Sequence, residues 1–314
     1  MDGEFIRWKS GFRNWITRDG APGSTGEGGF KAEPGRYHLY VSYACPWAHR
    51  TLIYRALKGL QDIISVSIVH PLMPEESWVF GDYPGASADK VNGCKTLWQV
   101  YQIAAPEFDG MVTVPVLWDK KRRTIVNNES SEIIRMFNSV FDEWGRADVD
   151  FYPAGLRDEI DAINKTVYDN INNGVYRAGF AKTQVAYESA YDNLFATLDK
   201  IEQRLSQQRY LIGDNITEAD WRLFPTLLRF DPVYVGHFKC NKKRIVDYPD
   251  LWAYTRELYQ YPGVAQTVNM DHIKFHYYGS HRTINPTGIV PKGPEIDFNL
   301  AHERNLTKKG DKHE

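Results

Sequence analysis

Cys45 is the residue of this sequence whose position most strongly indicates chemistry. It lies between a strand-like run at 37–42 and an amphipathic stretch that opens with Pro46. Because proline favours the first position of a helix, we expect the sulfur to lie over unpaired backbone N–H groups at the positive helix end, where His49 and Arg50 would add positive potential. That environment lowers the pKa of a thiol and favours a nucleophilic thiolate at neutral pH. A buried structural cysteine is the alternative, and the helix-terminal position favours the reactive one.

The cysteine has no partner at the spacing of a dithiol motif. Position 48 is Ala48, so an internal disulfide cycle is excluded at this site and a mixed disulfide must be resolved by an external thiol. We therefore expect the substrate or co-substrate to be a thiol. Cys94 and Cys240 lie in other segments, and we predict that both are structural.

The first half of the chain has the pattern of an α/β domain. Its segments alternate strand and helix patterns, in the order strand 37–42, helix 47–57, strand 63–69, strands 112–118 and 124–126, and helix 130–138. The first three predict a parallel, right-handed βαβ unit, and the paired strands predict an antiparallel hairpin. Residues 71–109 form a long crossover, a length that is usually functional within a compact domain. Pro115, within the hairpin, indicates an edge, a bulge or a cis peptide.

The second half of the chain is helical in pattern. After a polar linker that contains proline, four segments carry apolar residues at helical spacing, namely 156–172, 183–207, 218–230 and 251–259. Thr217 and Asp220 predict a capping box at the start of the third of these helices. The predicted organisation is an N-terminal extension, an α/β domain, the linker, a helical domain and a C-terminal arm, over residues 1–36, 37–141, 142–154, 155–275 and 276–314.

Composition excludes several classes of protein. The 314 residues carry 38 Lys and Arg against 40 Asp and Glu, and a net charge of −2 offers no electrostatic footprint for nucleic acid or an anionic membrane. No run approaches the roughly 20 apolar residues of a membrane span, and three widely spaced cysteines favour a reducing compartment, the cytoplasm. His272, His276 and His281 lack a Cys or Glu that completes a standard zinc motif, so we predict no metal site. We expect a folded, soluble protein.

Four motifs, in a fixed order along the chain, carry a resemblance to a known family. They are YHLYVSYACPWAHR, TVPVLWD, NNGVYRAGFA and HYYGSHRTINPTGIVPKGP. Over roughly residues 5–295 the chain resembles the glutathione transferases and, more narrowly, their Xi class, the glutathionyl-hydroquinone reductases. The resemblance implies a thioredoxin-like N-terminal domain packed on an all-helical C-terminal domain, with extended terminal arms. It also implies a homodimer that uses glutathione as co-substrate.

The resemblance further implies the residues of a glutathione site. The Val114–Pro115 peptide would be cis, and the backbone of Val114 would pair with the cysteinyl part of glutathione as an added strand. Glu129 would hold the amine of the γ-glutamyl end, and Ser130 with its helix N-terminus would hold the carboxylate. Trp78, in the crossover, would line the same site. The alternatives are a simple helix cap for Glu129 and Ser130 and a core position for Trp78.

Three tyrosines match those that the family uses around the aromatic substrate: Tyr176, Tyr277 and Tyr278. A phenol can stack on a hydroquinone and can protonate a developing carbanion, and the pattern leaves open which of Tyr277 and Tyr278 points inward. The implied reaction is attack by Cys45 on the sulfur of the conjugate, which gives a mixed disulfide that a second glutathione resolves. Two alternatives stay open: an Omega-like thiol transferase or dehydroascorbate reductase, and a non-enzymatic interaction module.

Overall fold

Two units make up the part of the chain that the computed structural model describes, residues 3–75 and 77–304. The α/β unit contains Ile6–Pro153 and Gln266–Pro291. The helical unit contains Ala154–Ala265 together with residues 3–5 and 292–304. The chain therefore leaves the helical unit late in the sequence, contributes one segment to the α/β unit and returns.

A four-stranded mixed sheet forms the centre of the α/β unit. Its strands are β1 (Tyr37–Val41), β2 (Ser65–Ile68), β3 (Val116–Asp119) and β4 (Thr124–Asn127), in the spatial order β2-β1-β3-β4. β1 pairs in parallel with β2 and antiparallel with β3, which pairs antiparallel with β4. All five residues of β1 are buried, which places both faces of this central strand in the core. The predicted βαβ unit and hairpin are confirmed.

The hairpin starts later than the sequence pattern predicts. The pattern predicts a strand at 112–118, yet β3 begins at Val116. Pro115 has no N–H to donate to a strand ladder, and the peptide between Val114 and Pro115 is cis. The residues before Val116 therefore form a loop that leads into β3.

The α-helices of the described residues are numbered along the chain. They are α1 (Pro46–Leu57), α2 (Leu97–Ala104), α3 (Ser130–Ser139), α4 (Arg157–Val167), α5 (Gly174–Gly179), α6 (Gln184–Leu205), α7 (Glu218–Arg229), α8 (Pro249–Gln260) and α9 (Met270–Ser280). α1, α2, α3 and α9 belong to the α/β unit, in which α1 packs against α3, and α4 to α8 belong to the helical unit. α9 ends at Ser280, so the first residues of the predicted arm, 276–280, are helical.

Two helices of the helical unit continue beyond their α-helical residues. α4 runs into a π-helical turn at Tyr168–Asn172, and α7 runs into another at Phe230–Tyr234. The pattern at 156–172 predicts one continuous helix, and the structure inserts this wider turn at its end. The capping box of Thr217 and Asp220 is present at the start of α7, as predicted.

The N-terminal extension is part of the α/β unit from Ile6 onward. Arg13 and Asn127 form an antiparallel bridge, and the Asn14 N–H donates to the Val126 carbonyl at 2.9 Å. The extension therefore pairs with the outer edge of β4. An unpaired edge strand is a template for pairing with other chains, and this contact covers it.

No helix within residues 3–75 and 77–304 is long and apolar enough to cross a membrane. The same stretches hold no group of three or more His, Cys, Asp or Glu side chains that could bind a metal ion. Two of the three histidines considered as zinc ligands donate to backbone carbonyls: His272 Nε2 to Pro84 at 2.7 Å, and His276 Nδ1 to Pro71 at 2.9 Å.

Candidate active site

Cys45 is the N-cap residue of α1, as its position in the sequence predicts. Its Sγ accepts a hydrogen bond from the Ala48 N–H at 3.5 Å, and Pro46 occupies the first position of the helix. No carboxylate of the first turn offsets the positive end of the helix dipole. The half-buried thiol is thus held at a helix N-terminus, an arrangement that stabilises a thiolate.

Two guanidinium groups lie beside the start of α1. The guanidinium carbons of Arg7 and Arg50 each lie 4.7 Å from the ring centroid of Trp47, the second residue of the helix. His49, which follows on the same helix, has its Nε2 2.8 Å from Thr267 Oγ1. Two guanidinium groups, one from the extension and one from the helix itself, therefore lie near this end of α1.

The loop before β3 brings its backbone to the thiol. The Val114–Pro115 peptide is cis, as the resemblance implies, and the Val114 carbonyl oxygen lies 3.5 Å from Cys45 Sγ. The Tyr101 hydroxyl donates to the Thr113 carbonyl at 2.9 Å and accepts from the Thr113 N–H at 3.3 Å, which fixes the loop. An extended peptide that pairs with this loop would pass close to the sulfur.

Glu129 and Ser130 lie at the start of α3, where Glu129 is the N-cap residue. Glu129 Oε1 accepts hydrogen bonds from the N–H of Ser131 at 3.0 Å and from its hydroxyl at 2.9 Å. Ser130, the first residue of the helix, is 3% exposed. Glu129 therefore caps α3, as the alternative interpretation predicts. A contact of Glu129 and Ser130 with glutathione stays a prediction.

Ser10 was not marked by any motif, yet it contacts the predicted γ-glutamyl subsite. Its hydroxyl donates to Glu129 Oε2 and to the Asn128 carbonyl, each at 3.2 Å. A lone serine in a polar stretch carries no recognisable signal, because its contact is more than 100 residues away in sequence. The extension thus helps to orient the Glu129 carboxylate.

Trp78 lies in the crossover and packs against α9. Its ring stacks on that of His276, with centroids 4.7 Å apart and an interplanar angle of 22°. Its carbonyl accepts from the Leu97 N–H at 2.8 Å, at the start of α2. Trp78 is 6% exposed, which agrees with the alternative of a core position. Its contact with glutathione stays a prediction.

The structure distinguishes the two adjacent tyrosines of α9. Tyr277 is 1% exposed, and its ring makes edge contacts with His276 and His281 at centroid distances of 5.4 and 5.3 Å. Tyr278 is half-buried, and its carbonyl accepts from the Asn285 side chain at 2.8 Å. Tyr277 is therefore the inward residue of the pair and shares its immediate surroundings with the ring that stacks on Trp78.

Tyr176 belongs to the helical unit, on α5. Its half-buried ring lies within an aromatic cluster whose other members are Phe5, Phe180, Tyr234 and Phe238. The centroid of Phe238 is the nearest of these, at 5.4 Å. Stacked and edge-on rings of this kind provide a surface suited to aromatic groups.

The other two cysteines have environments that disfavour a thiolate. Burial, assisted by the nearby Asp89 carboxylate, raises the pKa of Cys94 to about 11. Burial also raises the pKa of Cys240, which is fully buried. Since the thiolate is the reactive form, both are poor nucleophiles at neutral pH. This contrast supports the structural role predicted for them.

Two family models match the chain. Residues 44–140 match the glutathione S-transferase N-terminal domain, and residues 184–257 match the glutathione S-transferase C-terminal domain. The first match begins one residue before Cys45 and extends past α3; the second begins at the start of α6 and ends within α8.

Three proteins are similar to the chain over nearly its whole length. The glutathionyl-hydroquinone reductase YqjG of Escherichia coli is 58% identical over 97% of this chain and 93% of its own, and its glutathione-bound structure superposes with a TM-score of 0.93 over 94% and 96%. The glutathionyl-hydroquinone reductase PcpF of Sphingobium chlorophenolicum is 53% identical over 93% and 90%. A Xi class GST from Natrialba magadii is 50% identical, with a TM-score of 0.89 over 94% and 89%.

Proposed function

Because the chain belongs to the glutathione S-transferase family and to its Xi class, we propose that it removes glutathione from glutathionyl-hydroquinones with Cys45 as the nucleophile. The observation that carries the role of Cys45 is its place as N-cap of α1, 3.5 Å from the carbonyl of the cis-proline loop. Two relatives that are more than half identical to the chain are glutathionyl-hydroquinone reductases. The products are the hydroquinone and oxidised glutathione.

The first step is attack of the Cys45 thiolate on the sulfur of the bound conjugate. A sulfur–sulfur bond forms between Cys45 and glutathione, and the bond between that sulfur and the ring carbon breaks. The ring carbon that bears the sulfur takes up a proton while a ring hydroxyl gives one up, so the form that is attacked is the keto tautomer. The electron pair of the broken carbon–sulfur bond then passes to the carbonyl oxygen as an enolate, and protonation of that oxygen gives the hydroquinone.

The second step regenerates the enzyme. A second glutathione, as its thiolate, attacks the glutathione sulfur of the mixed disulfide, releases oxidised glutathione and restores the Cys45 thiolate. No second cysteine of the chain is required, which agrees with Ala48 in place of a resolving cysteine and with the raised pKa of Cys94.

Tyr277 is our proposed donor of the proton to the ring carbon. A phenol within hydrogen-bond reach of the carbon can supply that proton as a general acid. We expect Tyr277→Phe to lower kcat by about 100-fold, and Tyr278→Phe, its half-buried neighbour, by less than about 3-fold. Tyr176→Phe tests the second predicted donor in the same assay.

The glutathione part of the substrate is proposed to lie along the cis-proline loop. Val114 would pair its backbone with the cysteinyl residue, and Glu129 and Ser130 would hold the γ-glutamyl end at the start of α3. Trp78 would cover the same group from the crossover. Support comes from the Val114 carbonyl, which lies beside Cys45 Sγ, and from the helix N-terminus at Ser130.

Assembly and compartment are further parts of the proposal. We infer a homodimer from the family resemblance and a reducing cytoplasm from three cysteines that form no disulfide. Light scattering of the purified chain measures the first, and fractionation of the source cells measures the second.

The decisive experiment is chromatographic turnover of a glutathionyl-hydroquinone with added glutathione, by wild type and Cys45→Ser. We expect wild type alone to release hydroquinone, and mass spectrometry of wild type without added glutathione to find one glutathione on Cys45. Wild type that leaves the conjugate intact but reduces a small mixed disulfide would instead be an Omega-like thiol transferase. No activity in either assay would indicate a non-enzymatic interaction module.

A further inference from the structure

The crossover that carries Trp78 is fastened to α9 by side chains of that helix. Three hydrogen bonds do this: His276 Nδ1 to the Pro71 carbonyl at 2.9 Å, His272 Nε2 to the Pro84 carbonyl at 2.7 Å, and the Met73 N–H to Ser280 Oγ at 2.9 Å. The first and last hold Pro71 and Met73, ahead of Trp78 in the chain, and the second holds Pro84, beyond it. α9 therefore contacts the crossover on both sides of Trp78.

His276 differs from the other two residues because it also contacts the ring of Trp78. The two rings lie nearly parallel, 4.7 Å apart, and both residues are almost fully buried. His276 Nδ1 is the donor in its bond to the Pro71 carbonyl, since a carbonyl can only accept. The flat face of the imidazole is the surface against which the indole lies.

We propose that His276 is a positioning residue of the glutathione site, which sets the plane of Trp78 so that the indole can cover the glutathionyl group. This inference rests on the proposed function in one respect, namely that Trp78 lines that site. The glutathionyl group is held in both the bound substrate and the transition state. Losing its contact with the Trp78 indole therefore weakens the binding of both by the same amount. The expected signature is a raised KM for the conjugate with an unchanged kcat.

The ring and the hydrogen bond of His276 can be separated by substitution. His276→Phe keeps a flat ring and removes the Nδ1 donor, whereas His276→Asn keeps a short donor near the Pro71 carbonyl and removes the ring. His276→Leu removes both. If the stacked plane is what positions Trp78, the phenylalanine variant retains function best.

The test measures binding of S-methylglutathione by calorimetry, because this thioether cannot form a disulfide with Cys45. We expect His276→Leu and His276→Asn to bind about 5-fold more weakly than wild type, the size of one aromatic stacking contact, and His276→Phe to bind within about 2-fold. Trp78→Leu should show a similar loss, and adding His276→Leu to it should weaken binding no further.

A matched control comes from the same helix. His272→Asn removes a histidine-to-carbonyl contact with the crossover but leaves the stack on Trp78 intact, so its binding should stay within about 2-fold of wild type. An equal loss in His272→Asn, or wild-type binding by His276→Leu, would overturn the inference. If His276→Leu fails to fold, the comparison of His276→Phe with His276→Asn decides.

The failure of the proposed function is distinguishable from the failure of this inference. Binding of S-methylglutathione requires no turnover. If wild type binds it but leaves glutathionyl-hydroquinone intact, the proposed reaction is wrong, and the variants still test the role of His276. Wild type that does not bind S-methylglutathione overturns the inference, because Trp78 then lines no glutathione site.

Discussion

The helices α1 and α7 begin in contrasting ways. At α7 the Asp220 carboxylate accepts four hydrogen bonds, from the N–H and hydroxyl of Thr217, the Leu211 N–H and the Tyr254 hydroxyl, at 2.7–3.0 Å. At α1 the cap is the sulfur of Cys45, which receives the Ala48 N–H at 3.5 Å and is half-buried. The Asp220 carboxylate at the start of α7 is thus saturated with hydrogen bonds, whereas the cap of α1 is a sulfur at a longer distance.

The difference shows what each N-terminus provides. A saturated, buried cap stabilises the fold, and any change to it leaves donors unpaired. A weak thiol cap contributes little to stability and leaves the positive helix end to act on a thiolate. Sites that react are often built at a cost in local stability, and the reactivity that we propose for Cys45 fits that pattern.

The largest expected effect is on the saturated N-terminus. Asp220→Ala leaves the Thr217 and Leu211 N–H groups and the Tyr254 hydroxyl without their buried acceptor, so we expect a loss of about 3–5 kcal/mol in the free energy of unfolding. Urea denaturation followed by tryptophan fluorescence measures it. Asp220→Asn, which keeps one acceptor oxygen, is the control and should lose less. A loss below about 1 kcal/mol for the alanine variant would contradict the contrast.

The weakly capped N-terminus should reveal itself by selective alkylation. At pH 7 we expect iodoacetamide to modify Cys45 at least about 100-fold faster than Cys94, whose pKa is raised to about 11, because the rate follows the thiolate fraction. Peptide mapping by mass spectrometry at several times gives both rates from one sample. Comparable alkylation rates for Cys45 and Cys94 would contradict the reactive thiol that we propose at the start of α1.

Acid should destabilise the protein through buried histidines in both units, independently of the two helix caps. Burial lowers the pKa of His38 to about 3 in the α/β unit and that of His237 to about 4 in the helical unit. As the pH falls below 6.5 the unfolded chain takes up these protons first, so stability is complete above pH 6.5 and declines toward the folded pKa values. From pH 6.5 to 5 we expect His38 alone to cost about 2 kcal/mol.

The measurement for His38 is urea denaturation at pH 7.5, 6.0 and 5.0. His38→Gln removes the titrating group and can keep a contact to Ser65 or Ser67, whose hydroxyls lie 2.7 and 3.0 Å from the ring nitrogens. Its stability should fall less with pH than that of wild type. Equal slopes for the two proteins would refute the assignment.

The smallest effect compares the two caps directly. Thr217→Ala should cost about 1 kcal/mol, the usual value of an N-cap hydroxyl, whereas Cys45→Ser should change stability by less than about 0.5 kcal/mol. Thermal unfolding of both variants, together with Cys94→Ser as a cysteine control, measures the difference. A larger loss for Cys45→Ser than for Thr217→Ala would reverse the comparison.

Features set within a few residues were predictable from the sequence. Cys45 as N-cap before Pro46 and the capping box of Thr217 and Asp220 are confirmed, because backbone and side-chain geometry over three or four positions decides them. The βαβ unit and the hairpin are confirmed for a related reason, since the alternation of apolar residues reports which faces are buried. The ends of strands were less accurate, as β3 shows, because a proline interrupts the ladder.

Relations between distant segments were decided by tertiary structure alone. The contact of Ser10 with Glu129 and the stack of His276 on Trp78 join residues more than 100 positions apart, and no local pattern encodes such a pairing. The choice of Tyr277 as the inward residue is of the same kind, since adjacent helical residues differ by about 100° in direction and only packing shows which one faces the core. The sequence by itself thus determined that Cys45 caps a helix, because three or four neighbouring residues decide a cap, whereas tertiary packing decided which distant residues lie beside Trp47, Glu129 and Trp78.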